Sequence, residues 1–171
     1  MTNSFSTLLV GLGSPHGDDQ LGWRIAQVIE PGNRPNLMVR VARSPIEVLS
    51  WLEGVNWLIV CDACQGAGTL GSWHHWHWPT DDLVPLHFAG SHDLGLAAVL
   101  TLADRLGQLP EQVSIWAIEA DLLRSSPTSI GAGLSAEVER AVPQVVRLIE
   151  EELIYPSRKE ALSSEPSQRS D

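Results

Sequence analysis

Asp18 and Asp19 stand side by side in Gly11-Leu12-Gly13-Ser14-Pro15-His16-Gly17-Asp18-Asp19-Gln20-Leu21-Gly22. Before them comes the apolar run Leu8-Leu9-Val10, and after them Leu21, Ile25, Val28 and Ile29 recur at helical spacing. Strand, glycine turn and helix in that order are how an α/β sheet opens a ligand site at a strand's carboxyl end. Such turns most often hold phosphate on backbone N–H groups at the positive end of the helix dipole. Two carboxylates at that helix end would repel a phosphate. The chemistry expected is therefore capture of a cation or a polar peptide group, and not a nucleotide cradle.

Asp19 alone admits two readings. It can cap the helix, a role worth about 1 kcal/mol, or it can ligate a divalent cation. One carboxylate suffices for capping, and a second adds repulsion that a cation would offset. Asp62 follows the apolar run Trp57-Leu58-Ile59-Val60-Cys61. It is either a turn former or a ligand at a strand's carboxyl end. His92, beside Ser91 where a helix is expected to start, is either a surface residue or a third ligand. Taken together, Asp19, Asp62 and His92 make an O/O/N set suited to a borderline divalent metal such as nickel or zinc, with positions open for a guest.

Other constellations carry less. Cys61-x-x-Cys64 has redox spacing, but Cys61 ends an apolar strand instead of opening a helix, where the dipole would lower a thiol's pKa. His74, His75 and His77 lie in a tryptophan-rich segment, Trp73 to Trp78. His75 and His77 share a strand face, yet the sequence puts no acid or cysteine beside them, which favours an exposed polar face. There is no Gly-x-Ser-x-Gly elbow and no His-Glu-x-x-His helix. The serines near His16 and His92 do not specify a triad.

The elements that must position these residues alternate between strand and helix. Strands are expected at Thr7 to Val10, Leu37 to Val41, Trp57 to Cys61 and Val113 to Ile118, with Trp73 to Trp78 a strand or one arm of a hairpin. Helices are expected from Asp18 or Asp19 to Ile29, stopped by Pro31-Gly32, and from the capping box Ser44-Pro45-Ile46-Glu47 to Gly54. A third should run from Ser91 or His92 to Leu106. The last is capped by Ser135, with a kink at Pro143. Asp62 to Gly68 reads as a loop. The pattern predicts a single-domain, doubly wound α/β fold, a mostly parallel twisted sheet with helices on both faces. On a strand order 2-1-3-4-5, strands one and three are neighbours, and Asp19 and Asp62 face each other across one crevice. Residues 1–155 are assigned to this domain. Residues 156–171, rich in serine and charge, are expected to be a disordered tail.

Composition sets further bounds. A chain of 171 residues fits one domain with a real core. A formal charge of −10 argues against nucleic acid as partner, since that binding needs clusters of Lys and Arg. No apolar stretch approaches the ~20 residues of a membrane span, and the first residues lack the marks of a signal peptide. Two cysteines do not make a disulfide scaffold. A cytoplasmic, reduced protein is expected. Seven tryptophans against two phenylalanines and one tyrosine are unusual; exposed indoles would mark a contact surface.

The chain resembles the hydrogenase maturation proteases, endopeptidases that trim the C-terminus of [NiFe]-hydrogenase large subunits after nickel insertion. Three segments carry the likeness. Gly11-Leu12-Gly13-Ser14 with Gly17-Asp18-Asp19-Gln20-Leu21-Gly22 looks like the family's Gly-x-Gly-Asn … Asp-Asp/Glu-x-x-Gly signature. Val60-Cys61-Asp62-Ala63 looks like its Val-Asp-Ala element, and Ser91-His92-Asp93-Leu94-Gly95-Leu96 like its Ser-His-x-Leu-Gly-Leu helix start. Weaker likeness continues through Ile118-Glu119-Ala120 and Gly133 to Val138. The resemblance places the family's three metal-binding positions on Asp19, Asp62 and His92. It implies a peptidase that recognises nickel already held by a large-subunit precursor and cuts near that precursor's C-terminus.

Two mechanisms follow from the resemblance. Either metal held by Asp19, Asp62 and His92 polarises the scissile carbonyl or activates water, or these residues only grip the nickel and a nearby carboxylate such as Asp18 acts as base. The chain departs from the pattern in having Ser14 for the family's Asn and Pro15-His16 where aliphatic residues are usual. Competing readings are a non-catalytic nickel-binding or precursor-docking protein on the same fold, and another small α/β hydrolase such as peptidyl-tRNA hydrolase. The last is disfavoured by the acidic charge and by Asp18-Asp19.

Overall fold

The structure, a computed structural model, describes residues 6–30, 34–88, 94–124 and 131–156. Strand β1 (Thr7–Leu12) lies between β2 (Leu37–Ala42) and β3 (Trp57–Gln65), and all these pairings are parallel. β3 then pairs in parallel with the strand Gln112–Glu119, which we number β6 because β4 (Trp73–His77) and the short β5 (His87–Phe88) precede it in the chain. The sheet order is β2-β1-β3-β6-β4, with β5 attached antiparallel to the end of β3. The expected adjacency of the first and third strands holds. The far half differs from 2-1-3-4-5, because the Trp73–His77 strand crosses to the outer edge and pairs antiparallel with β6.

Helices cover both faces. On one face α1 (Leu21–Ile29) and α3 (Ala136–Ile154) pack Ile25, Val138, Val145 and Ile149 onto Leu9, Ile59, Cys61, Trp116 and Ile118. On the other, α2 (Leu96–Arg105) and a 3-10 helix (Pro45–Trp51) set Leu96, Leu100 and Val48 against Leu8, Val10, Leu58, Val60 and Ile115. Burial on both faces is why β1 and β3 read as continuous apolar runs instead of alternating. Each fully buried leucine or isoleucine here contributes about 1.5–3 kcal/mol relative to exposure.

Several boundaries differ from the sequence expectation. The first helix opens as a 3-10 turn, Gly17–Gln20, before α1 proper. The Ser44 capping box forms as expected, but the helix it starts is 3-10. β3 continues through Gln65, so Asp62 lies inside a strand and not on a loop; pairing with β6 on one side and β5 at its end extends it. α2 starts at Leu96 with Gly95 in the N-cap position. Pro143 lies inside α3 without ending it.

The tryptophans are mostly built into the fold. The Trp57 indole donates to Ser114 Oγ (3.1 Å), Trp116 to Glu152 (2.9 Å) and Trp23 to the Ala42 carbonyl (2.9 Å). Trp76 and Trp78 pack against the second core layer, and Trp73 is 41% exposed. Among the described residues, no helix is long and apolar enough to cross a membrane.

Candidate active site

β1 ends at Leu12, and the chain turns immediately back over the sheet. Gly13 makes this possible: a Cβ there would lie 2.1 Å from the Asp19 carbonyl oxygen. The Ser14 N–H donates to that same carbonyl at 3.1 Å, and the Ser14 hydroxyl bonds Asp19 Oδ2. Asp18 and Asp19 are both buried, at 3% and 8% exposure. Gly22 seats the first turn of α1 directly on the strand ends. A Cβ there would meet the carbonyl oxygens of Leu12 and Cys61 at 2.1 and 2.4 Å.

Asp62 sits one residue past Cys61, which pairs with Gly11 in the last step of the β1–β3 ladder. It therefore lies just beyond the β1–β3 ladder, at the level of Leu12, the last residue of β1 before the turn that carries Asp18 and Asp19. It is wholly buried. The Ala63 N–H donates to Oδ1 at 2.8 Å, while Oδ2 has no hydrogen-bond partner among the described residues. Burial, and then the charge of Asp19, push the Asp62 carboxyl well above the usual range, against the smaller pull of the Ala63 N–H. Two neighbouring buried acids at a strand's carboxyl end disfavour joint ionisation unless a cation joins them.

Asp18 is turned to a different task. Its Oδ1 accepts the Ser135 N–H at 2.6 Å, and its Oδ2 accepts the Ser135 hydroxyl at 2.9 Å and the Asp121 N–H at 3.4 Å. Ser135 stands at the N-cap of α3, but its hydroxyl serves Asp18 instead of capping the helix. A carboxylate with both oxygens committed to three donors is a strut between the first turn and α3.

His92 and its neighbour Ser91 lie outside the described residues. Cys61 and Cys64, both buried free thiols in β3, point into opposite core layers, so they cannot form a redox pair. A residue whose role went unread is Glu119, at the end of β6. Its oxygens accept the N–H groups of Gly66 and Ala67, each at 2.8 Å, and anchor the loop that leaves β3. Its sequence signals were an acid closing an apolar strand and the weak family likeness of Ile118-Glu119-Ala120. A cleft of about 440 Å³ lined by Thr7, Trp57 and Leu153 lies at the amino-terminal ends of β1 and β3, away from both acids.

The sequence model of the family described as hydrogenase maturation protease (HycI) matches residues 38–152, two thirds of the chain. The chain belongs to the hydrogenase maturation proteases. Members of this family are peptidases, and that is the enzyme class of this protein. The matched stretch includes Asp62 and His92; Asp18 and Asp19 precede it. Solved structures agree in fold. The hydrogenase maturating endopeptidase HybD from E. coli superposes with a TM-score of 0.70 at 21% identity, over 90% of this chain and 94% of that one. The hydrogenase 2 maturation peptidase from a Thaumarchaeota archaeon gives 0.61 at 24% identity, over 86% and 97%. The [NiFe] hydrogenase maturation protease HybD from Thermococcus kodakarensis gives 0.60 at 19%, over 86% and 98%. No significant match is found among curated proteins.

Proposed function

We propose that this maturation protease removes a C-terminal peptide from a [NiFe]-hydrogenase large-subunit precursor once nickel has been inserted, and that Asp19, Asp62 and His92 recognise the precursor's nickel. The observation that supports this most is the Asp19–Asp62 pair. Both acids are buried, Asp62 Oδ2 lacks a hydrogen-bond donor among the described residues, and like charge alone would not hold them together. A cation presented by the substrate satisfies both. Two carboxylate oxygens and an imidazole nitrogen suit a borderline metal such as nickel and leave positions for the ligands it already has. Nickel in that place is a Lewis acid able to polarise a nearby carbonyl.

The chain's own groups set up the encounter. Ser14 bonds one oxygen of Asp19, which fixes the direction of the other. Gly22 brings the amino-terminal end of α1 down on the strands. Asp18 holds α3 and the segment at Asp121 in place around the turn, so its role is positioning. The test is intact-mass spectrometry of nickel-loaded precursor incubated with wild type or Asp19→Ala. Loss of one C-terminal peptide with wild type alone supports the proposal. An unchanged mass with wild type would favour a precursor-docking protein in which binding outlives cleavage.

A further inference from the structure

The histidines of the edge strand acquire in the structure the acid that their sequence surroundings lack. β4 pairs antiparallel with β6, His75 opposite Trp116 and His77 opposite Ser114. Ser114 and Trp116 both bond Glu152, in the last turn of α3, so the two imidazoles share the sheet face on which that carboxylate lies. One ligating atom from each of His75, His77 and Glu152 falls within 4.8 Å of the others. We propose that His75, His77 and Glu152 form a second metal site, for a divalent zinc-like ion, separate from the Asp19–Asp62 crevice.

The geometry is that of a site close to its bound form. Tetrahedral zinc with bonds of ~2.0–2.2 Å spans roughly 3.3–3.5 Å between ligand atoms. His75 Nε2 and Glu152 Oε1 are already 3.3 Å apart, long for a hydrogen bond and right for two ligands of one ion. His77 is the exposed member of the three, and its ligating atom lies within 4.8 Å of the other two. Two histidines and one carboxylate leave a fourth position for water.

The support behind the ligands is also in place. The His75 ring stacks on Trp116 at 3.9 Å and 8° between planes, which fixes its direction. Glu152 Oε1 accepts the Ser114 hydroxyl at 2.8 Å and Oε2 accepts the Trp116 indole N–H at 2.9 Å; Ser114 in turn accepts from the Trp57 indole. Each carboxylate oxygen keeps a second lone pair, and outer donors of this kind are what orient metal-bound carboxylates. The last turn of α3 carries no basic residue, although the helix dipole favours a cation there. Arg34 and Arg147 pair with Glu150 and Glu151 and are not shared with Glu152. An ion in this place would clip the edge strand to the end of α3.

The test is calorimetric titration of the full chain with Zn²⁺, with Co²⁺ absorption as a report on geometry. Wild type, His77→Ala, Glu152→Gln and the crevice variant Asp62→Ala are compared. We expect Asp62→Ala to retain one zinc equivalent and a tetrahedral Co²⁺ spectrum, and His77→Ala and Glu152→Gln to lose at least tenfold in affinity at that site. Zinc should raise the melting temperature of Asp62→Ala but not of the double variant Asp62→Ala/His77→Ala, which lacks a ligand at each site. His77 is exposed, so its replacement leaves the core untouched. Zinc uptake by His77→Ala equal to wild type, or no uptake by Asp62→Ala, would overturn the proposal and leave His75–Glu152 as a simple ion pair.

Discussion

Asp18 and Ser135 are joined by two hydrogen bonds, from the serine's N–H at 2.6 Å and its hydroxyl at 2.9 Å. They tie the turn after β1 to the start of the last helix. The first prediction follows from that contact. Asp18→Asn should cost about 1–3 kcal/mol of stability, read as a lower denaturation midpoint, while cleavage by the folded fraction falls less than ~10-fold. A general base would show a loss of ~10²–10⁴ at unchanged folding. That larger loss would return Asp18 to the chemistry.

Gly22 allows α1 to rest on the carbonyls of Leu12 and Cys61. Gly22→Ala should therefore destabilise the protein by ~3 kcal/mol, an overpacking cost borne by backbone that cannot step aside. Thermal melting of the variant checks this. A melting temperature equal to wild type would mean that α1 sits further from the sheet.

Metal-free Asp62→Asn should be more stable than wild type at pH 7. The sign follows from the direction of the shift: a carboxyl whose folded pKa lies above its unfolded value near 3.8 penalises the folded state as pH rises past that value. The amide removes the penalty, so the two proteins should converge below about pH 4. Urea denaturation in the presence of chelator at both pH values is the check. A variant less stable at pH 7 would show that the Asp62 charge is already neutralised by the protein.

Cys61 and Cys64 should resist alkylation in the folded protein. Both are wholly buried, and burial followed by the neighbouring acids pushes both thiols well up from their ordinary value. Mass spectrometry after iodoacetamide at pH 8 should show no adduct until denaturant is added, then two. Adducts on native protein would require local opening of β3.

Much of the fold was legible because its signals are local. The apolar runs of β1 and β3, the glycine turn and the Ser44 capping box each reveal their element within a few residues. Asp19 and Asp62 could be linked because the sheet topology makes their strands neighbours. What could not be read depends on distant partners. β3 continues past Asp62 only because β6 and β5 pair with it, and the turn-like composition of Ala63 to Gly68 hid that. The edge position of β4 is set by β6. His75 meets Glu152 only through the packing of α3, so a scan for nearby acids in the sequence could not find it. The same holds for the contact of Asp18 with Ser135, which depends on where α3 begins.

The central claim, that the Asp19–Asp62 pair reads nickel in the substrate, is tested most directly by nickel dependence. Matched precursor, nickel-loaded and nickel-free, is incubated with wild type, Asp19→Ala, Asp62→Ala and His92→Ala, and C-terminal loss is followed by intact mass. The account predicts cleavage only of nickel-loaded precursor and only by wild type. Equal cleavage of nickel-free precursor, or cleavage retained by all three variants, would contradict it.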